Sequence, residues 1–125
     1  MPSGESSKGQ LEDKITKAII KFEREHLGRG PSEARVWIIQ DMILVRLKGV
    51  LTPAEEKLAQ DPEGKSLIKQ VRMQLIEKSR SMLEDIVQSI TDISVISLHS
   101  DISVRTGERI IILTLTEDLE AKCSR

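Results

Sequence analysis

From Leu11 the chain places apolar residues three and four apart, at Leu11, Ile15, Ala18, Ile19 and Phe22 with His26 closing the series. That spacing predicts one amphipathic helix over residues 10–27. Gly28-Arg29-Gly30-Pro31 ends it, because glycine accepts a left-handed cap and proline cannot continue the helix. The period then switches from helical to alternating. Residues 35–39 and 42–47 are two β-prone runs separated by Gln40-Asp41, which predicts a tight antiparallel hairpin, although Gln-Asp is not the Asn-Gly pair that secures such a turn. In the second run Ile43, Val45 and Leu47 share one face, and Leu44, Arg46 and Lys48 the other.

Thr52-Pro53-Ala54-Glu55 reads as a helix start with Thr as N-cap, Pro in the first turn and Glu completing a capping box, opening a short helix to about Ala59. Asp61-Pro62 repeats the signal and opens a long helix to Thr91-Asp92, with an expected core stripe of Ile68, Val71, Leu75, Met82, Ile86 and Ile90 flanked by Leu67, Ile76, Leu83 and Val87. At about 40 Å this helix is longer than a small sheet needs for cover, so part of it is expected to meet a partner. A third strand is expected from Ile93 to about Val104 with a kink near Ser100, then a turn at Thr106-Gly107 and a fourth strand over residues 108–115. The order α-β-β-α-α-β-β predicts an α+β domain of two helix-plus-hairpin units, whose antiparallel sheet is covered by helices on one face. Residues 1–9 are expected to be a disordered tail, residues 10–119 a single domain and residues 120–125 a C-terminal tail.

Composition narrows the functional classes. The 19 basic and 20 acidic residues nearly balance, which argues against a nucleic-acid footprint or a polybasic membrane anchor. Phe22 and Trp37 are the only aromatics, too few for a base-stacking platform. No apolar run approaches the roughly 20 residues of a bilayer span, and the lone Cys123 fits a reducing cytoplasm. The expected location is therefore cytoplasmic, without direct membrane insertion.

Candidate chemistry concentrates in residues 97–109, where polar side chains stand in a strand context between two apolar runs. His99, Ser100 and Asp101 hold the letters of a nucleophilic triad, but strand alternation aims Ser100 away from the other two. His99 and Asp101 share a face, as at proton-handling or metal sites, yet no convincing third metal ligand accompanies them; a structural hydrogen bond is the simpler reading. Arg105-Thr106-Gly107-Glu108-Arg109 reads first as turn chemistry, and alternatively as an anion site with two bidentate arginines. The candidate ligand set is His99, Asp101, Arg105, Thr106, Glu108 and Arg109, with no catalytic residue, no metal and no cofactor expected. Arg35 and Trp37, on one face of the first strand, are the candidate interface anchors.

The segments RVWIIQDMILVRLKGVLTPAEEKLA, PEGKSLIKQVR and SLHSDISVRTGERIIIL together resemble a small bacterial domain family formerly of unknown function. It is named MpsC-like, for the C component of a Na+-translocating, membrane-potential-generating system. The resemblance covers about residues 10–119, and LTPAEEKLA and HSDISVRTGER are its specific parts. It implies a non-enzymatic accessory or regulatory module beside a membrane ion or inorganic-carbon transport system, and carries over no catalytic residue. With the apolar strands and the long helix, it predicts a homo-oligomer formed through the sheet edge or that helix, with a membrane transport protein as partner. The protein would then sit at the inner face of the membrane through that partner. The alternative is a small-ligand or anion sensor with its pocket at the second hairpin.

Overall fold

The computed structural model describes residues 6–123, so the tails expected at 1–9 and 120–125 lie partly outside the described residues. Helix α1 spans Lys8–His26, two residues earlier than expected. Ser7 caps it: its hydroxyl accepts from the Gln10 N–H while the Gln10 side chain accepts from the Ser7 N–H. Leu11, Ile15, Ile19 and Phe22 are buried as the period predicts, but His26 is exposed and Glu23 takes the core-facing place. Strands β1 (Glu33–Ile39) and β2 (Met42–Lys48) form the expected hairpin, with Ile39 paired to Met42 across the two-residue turn.

Helix α2 (Pro53–Leu58) starts at the predicted capping box, the Glu55 N–H donating to Thr52 and the Thr52 N–H to Glu55. Helix α3 (Pro62–Thr91) starts at Asp61, whose carboxylate accepts from the Gly64 N–H at 2.7 Å, and stops at Asp92 in the left-handed region. Its buried face is Ile68, Arg72, Ile76, Leu83 and Val87, turned by roughly one residue, about 100°, from the expected stripe. Val71 and Met82 are exposed instead. Burial runs from Gly64 to Thr91, so the helix lies against the domain along its length and has no overhanging end.

Strand β3 (Val95–Ser103) and strand β4 (Glu108–Leu115) make the second hairpin. The irregularity in β3 is a register shift between Val95 and Ser97, not the expected kink at Ser100, and it throws Ile96 into solvent. A short helix, α4 (Leu119–Lys122), was not anticipated. Leu119 is fully buried, and Glu120 straps the β1–β2 turn: its carboxylate accepts from the Gln40 N–H at 2.8 Å and its own N–H donates to the Gln40 carbonyl. This explains how Gln40 holds a positive φ of 56° without glycine.

The four strands form one antiparallel sheet in the order β1-β2-β4-β3, so each hairpin supplies one central and one edge strand. Helix α1 packs on β1, α3 on β3, and the two helices touch each other, all over one face. The inward residues Ile38, Ile43, Val45, Leu47, Ile111, Leu113 and Leu115 are almost entirely excluded from solvent. Each contributes on the order of 1.5–3 kcal/mol by burial, which is what fixes the sheet's register.

Candidate functional site

Strand alternation divides the polar segment 97–109 instead of gathering it. His99 and Asp101 project from the uncovered face of β3, both exposed. Asp101 accepts from the Ile102 N–H at 2.8 Å and meets Lys69, which reaches it at 3.4 Å. Glu108 lies on the same uncovered face and accepts from Arg46 Nε at 2.6 Å. Arg105 and Thr106 occupy the hairpin tip, exposed, where Gly107 takes a φ of 72° and returns its carbonyl to the Val50 N–H. They border an open groove with Lys65 and Gln60.

Arg109 is the exception. Paired with Ile102, it points to the helix-covered side and is only 2% exposed. Its Nη1 donates to Glu23 at 2.5 Å and its Nε to the Ser100 hydroxyl at 3.2 Å. Beside it Arg72 of α3, 4% exposed, donates through Nε and Nη2 to both Glu55 oxygens, at 2.9 and 2.6 Å, and through Nη2 to the Val50 carbonyl at 2.8 Å. Two adjacent hydrogen-bonded sets result: one ties α1, β3 and β4 together through Arg109, and the other ties α2 to α3 through Arg72. Burial pushes the Glu23 carboxyl above its ordinary value, with Arg109 and Arg72 opposing part of that rise. Burial likewise lowers Arg109, partly opposed by Glu23. Glu55 differs: burial raises it, but Arg72 and Thr52 outweigh burial and hold it low. Sequence reasoning selected Arg109 and missed its partners Glu23 and Ser100 and the neighbouring Arg72–Glu55 pair. The available signal was phase: Glu23 falls four residues after Ile19, and Arg72 four after Ile68, both in step with the core.

The uncovered sheet face has its own order. Trp37, Leu44, Ile112 and His99 form one cross-strand row, and Arg35, Arg46, Ile110 and Asp101 the next. Trp37, Leu44, Ile110 and Ile112 are partly exposed, giving an apolar centre between charged margins. The Arg35 guanidinium lies 5.3 Å from the Trp37 ring centroid, a cation–π contact that holds the indole against the sheet. The candidate anchors Arg35 and Trp37 are thus neighbours on a surface that no helix of the described residues covers.

Among the described residues no group of three or more His, Cys, Asp or Glu is placed to hold a metal ion, and no helix is long and apolar enough to cross a membrane. Cys123 is half-buried, its thiol donating to the Leu119 carbonyl.

A family model described as the Na+-translocating membrane potential-generating system (MpsC) matches residues 7–117. The uncharacterized protein YbcI of Bacillus subtilis (strain 168) is 46% identical over 114 residues, covering 91% of this chain and 92% of that one. The uncharacterized protein YrhF of the same organism is 22% identical over 103 residues, covering 82% and 84%. No solved structure matches.

Proposed function

Because the chain belongs to the MpsC family of the Na+-translocating membrane potential-generating system, we propose that it is a non-enzymatic accessory module of such a system, working as a dimer joined sheet to sheet. The observation that carries this reading is the uncovered sheet face, with its partly exposed Trp37, Leu44, Ile110 and Ile112. A second copy is the occupant whose charges fit. Rotation about an axis parallel to the strands lays β1 of one copy over β3 of the other while keeping each cross-strand row in place. Arg35 then meets Asp101 of the second copy, twice by symmetry, and Trp37 lies over His99. The sheet edge is a poorer candidate, because Glu12 of α1 already accepts the Ile38 N–H of edge strand β1 at 2.8 Å.

Four strands about 4.8 Å apart and seven residues long at about 3.3 Å each cover about 450 Å² in projection. Two such faces bury on the order of 900 Å², below the range of standard stable interfaces, so the dimer is in exchange with monomer at micromolar concentration. No span is needed for the membrane role: the dimer presents its other surfaces to a membrane-embedded partner.

Sedimentation velocity tests the dimer. Arg35→Asp or Asp101→Arg alone should shift the equilibrium toward monomer, and the two together should restore it by exchanging the charges. A strict monomer at all concentrations, or a double variant no better than the singles, refutes the face-to-face arrangement. The transport role is tested by following Na+-dependent membrane potential with a voltage-sensitive dye in cells lacking the chain. An unchanged response refutes it.

A further inference from the structure

On the opposite, helix-covered side of the sheet, between α3 and the second hairpin, lies a cavity of about 70 Å³. Arg72, Arg109 and Ser100 line it, among the apolar walls of Ile76, Leu98 and Ile102. Both arginines are more than nine-tenths buried, and each keeps one guanidinium nitrogen, Nη1 of Arg72 and Nη2 of Arg109, without a partner among the described residues. Ser100 accepts from Arg109 Nε, which leaves its own hydroxyl proton free to donate. Three donor-bearing residues from three elements therefore line one small space. Buried donors of this kind are costly unless something accepts from them.

We propose that this cavity binds a small oxyanion, held between Arg72 Nη1, Arg109 Nη2 and the Ser100 hydroxyl. Size limits the class: a water needs roughly 10–15 Å³ of such space, so the cavity takes about five to seven non-hydrogen atoms, room for an ion as large as phosphate and for the smaller formate, nitrate and bicarbonate. Two guanidinium groups match the planar or tetrahedral oxygens of such ions and supply charge-assisted hydrogen bonds. The site keeps Arg109 from the sequence-derived ligand set, has Asp101 at its rim beside Lys69, and replaces the rest, because His99 and Glu108 project from the other face and Arg105 and Thr106 stand at the tip.

Charge balance sets how the anion enters. Arg72 is matched by Glu55 and Arg109 by Glu23, so the network is neutral with both carboxylates ionised. The remaining charged groups facing the cavity are Glu77 of α3, met by Arg80, and Asp101 of β3, met by Lys69. Glu23 is the carboxyl that gives way, since burial already favours its neutral form and its Oε1 has no partner among the described residues. An oxyanion beside Arg109 supplies the negative charge that protonated Glu23 surrenders. Anion and proton are therefore taken up together, and affinity rises as pH falls.

The test is a titration of the full chain with formate, nitrate, bicarbonate and phosphate at constant ionic strength, followed by amide chemical shifts, with chloride as the non-oxyanion control. Saturable shifts confined to the cavity walls on α3, β3 and β4 are expected from at least one oxyanion and not from chloride. Ser100→Val removes a donor and fills space in a strand position that suits valine, and should weaken binding at least tenfold while the protein stays folded. Glu23→Gln removes the competing charge without changing shape, and should tighten binding at least tenfold at neutral pH and flatten its pH dependence. No saturable shift with any oxyanion, an equal response to chloride, or a Glu23→Gln variant that binds no better overturns the proposal. The dimer reading is tested separately, because neither Ser100 nor Glu23 lies on the dimer face.

Discussion

Arg109→Met isolates the energetic weight of the buried network. Methionine fills most of the arginine's volume but leaves Glu23, fully excluded from solvent, without its hydrogen-bonded partner. Removing one member of a buried ion pair typically costs about 3–5 kcal/mol, because the remaining charge is stranded. Protonation limits the loss. At about pH 7 it takes roughly 3.4 kcal/mol to protonate a carboxyl with the ordinary value of 4.5, and at about pH 5 only about 0.7 kcal/mol. The variant should thus be destabilised by about 3 kcal/mol near neutrality and by about 1 kcal/mol near pH 5. The sign follows from linkage: a carboxyl whose value is raised in the folded state contributes stability that is present below the unfolded value and lost as pH rises through the folded one. Arg109→Met paired with Glu23→Leu removes the stranded charge and should recover most of the loss. Urea unfolding followed by far-ultraviolet circular dichroism, at several pH values and with matched slopes, reads all three quantities. A neutral-pH loss under about 1 kcal/mol, a loss that does not shrink toward acid, or a double variant as unstable as the single would refute the reasoning.

Gly64→Ala should destabilise by about 1–3 kcal/mol in the same assay, although alanine is the better helix former, because its Cβ would fall 1.7 Å from the Leu58 carbonyl oxygen; a stabilised variant would show that α2 and α3 are not packed this closely. Glu55 is held low by Arg72 and Thr52, so its contribution is present above its ordinary value of 4.5 and is lost as pH falls through the folded one. Glu55→Gln should flatten the acid limb of the stability profile, and an unchanged limb would assign acid lability elsewhere. Leu119→Ala should cost about 2–5 kcal/mol and speed amide exchange at Gln40, which α4 straps; unchanged exchange would make α4 incidental to the first hairpin.

The fold was legible wherever one physical signal acted alone. The Thr52–Glu55 capping box, the Asp61 cap with Pro62 and the alternation from Ile43 to Leu47 each appear in the structure as the residues require. It was illegible where signals overlapped. Helix α3 carries apolar residues on two adjacent faces, so its period fits either Val71 and Met82 or Ile76 and Leu83. Arg72 decides the rotation by burying its stem and both its ion-pair nitrogens, which a hydrophobic period treats as a defect. Helix α4 has four residues, too few for a helical period to register, and its stability rests on Leu119 and the Glu120 strap.

The polar segment shows a different limit. Residues 97–109 are contiguous in sequence, yet the two-residue period of β3 and β4 sends Arg109 and Ser100 inward and His99, Asp101 and Glu108 outward. Contiguity therefore overstated how many of them could act together. The decisive partner of Arg109 lies 86 residues away, beyond any local pattern. Phase would still have found it. On β4 the inward set is Ile111, Leu113 and Leu115, which puts residue 109 inside; Glu23 and Arg72 extend the inward series of α1 and α3. A charged residue in phase with a core must be paired, because burying it alone costs more than a domain of this size can offset. Two bases and one acid in phase leave one base over, and Glu55, in the capping box beside α3, completes the balance.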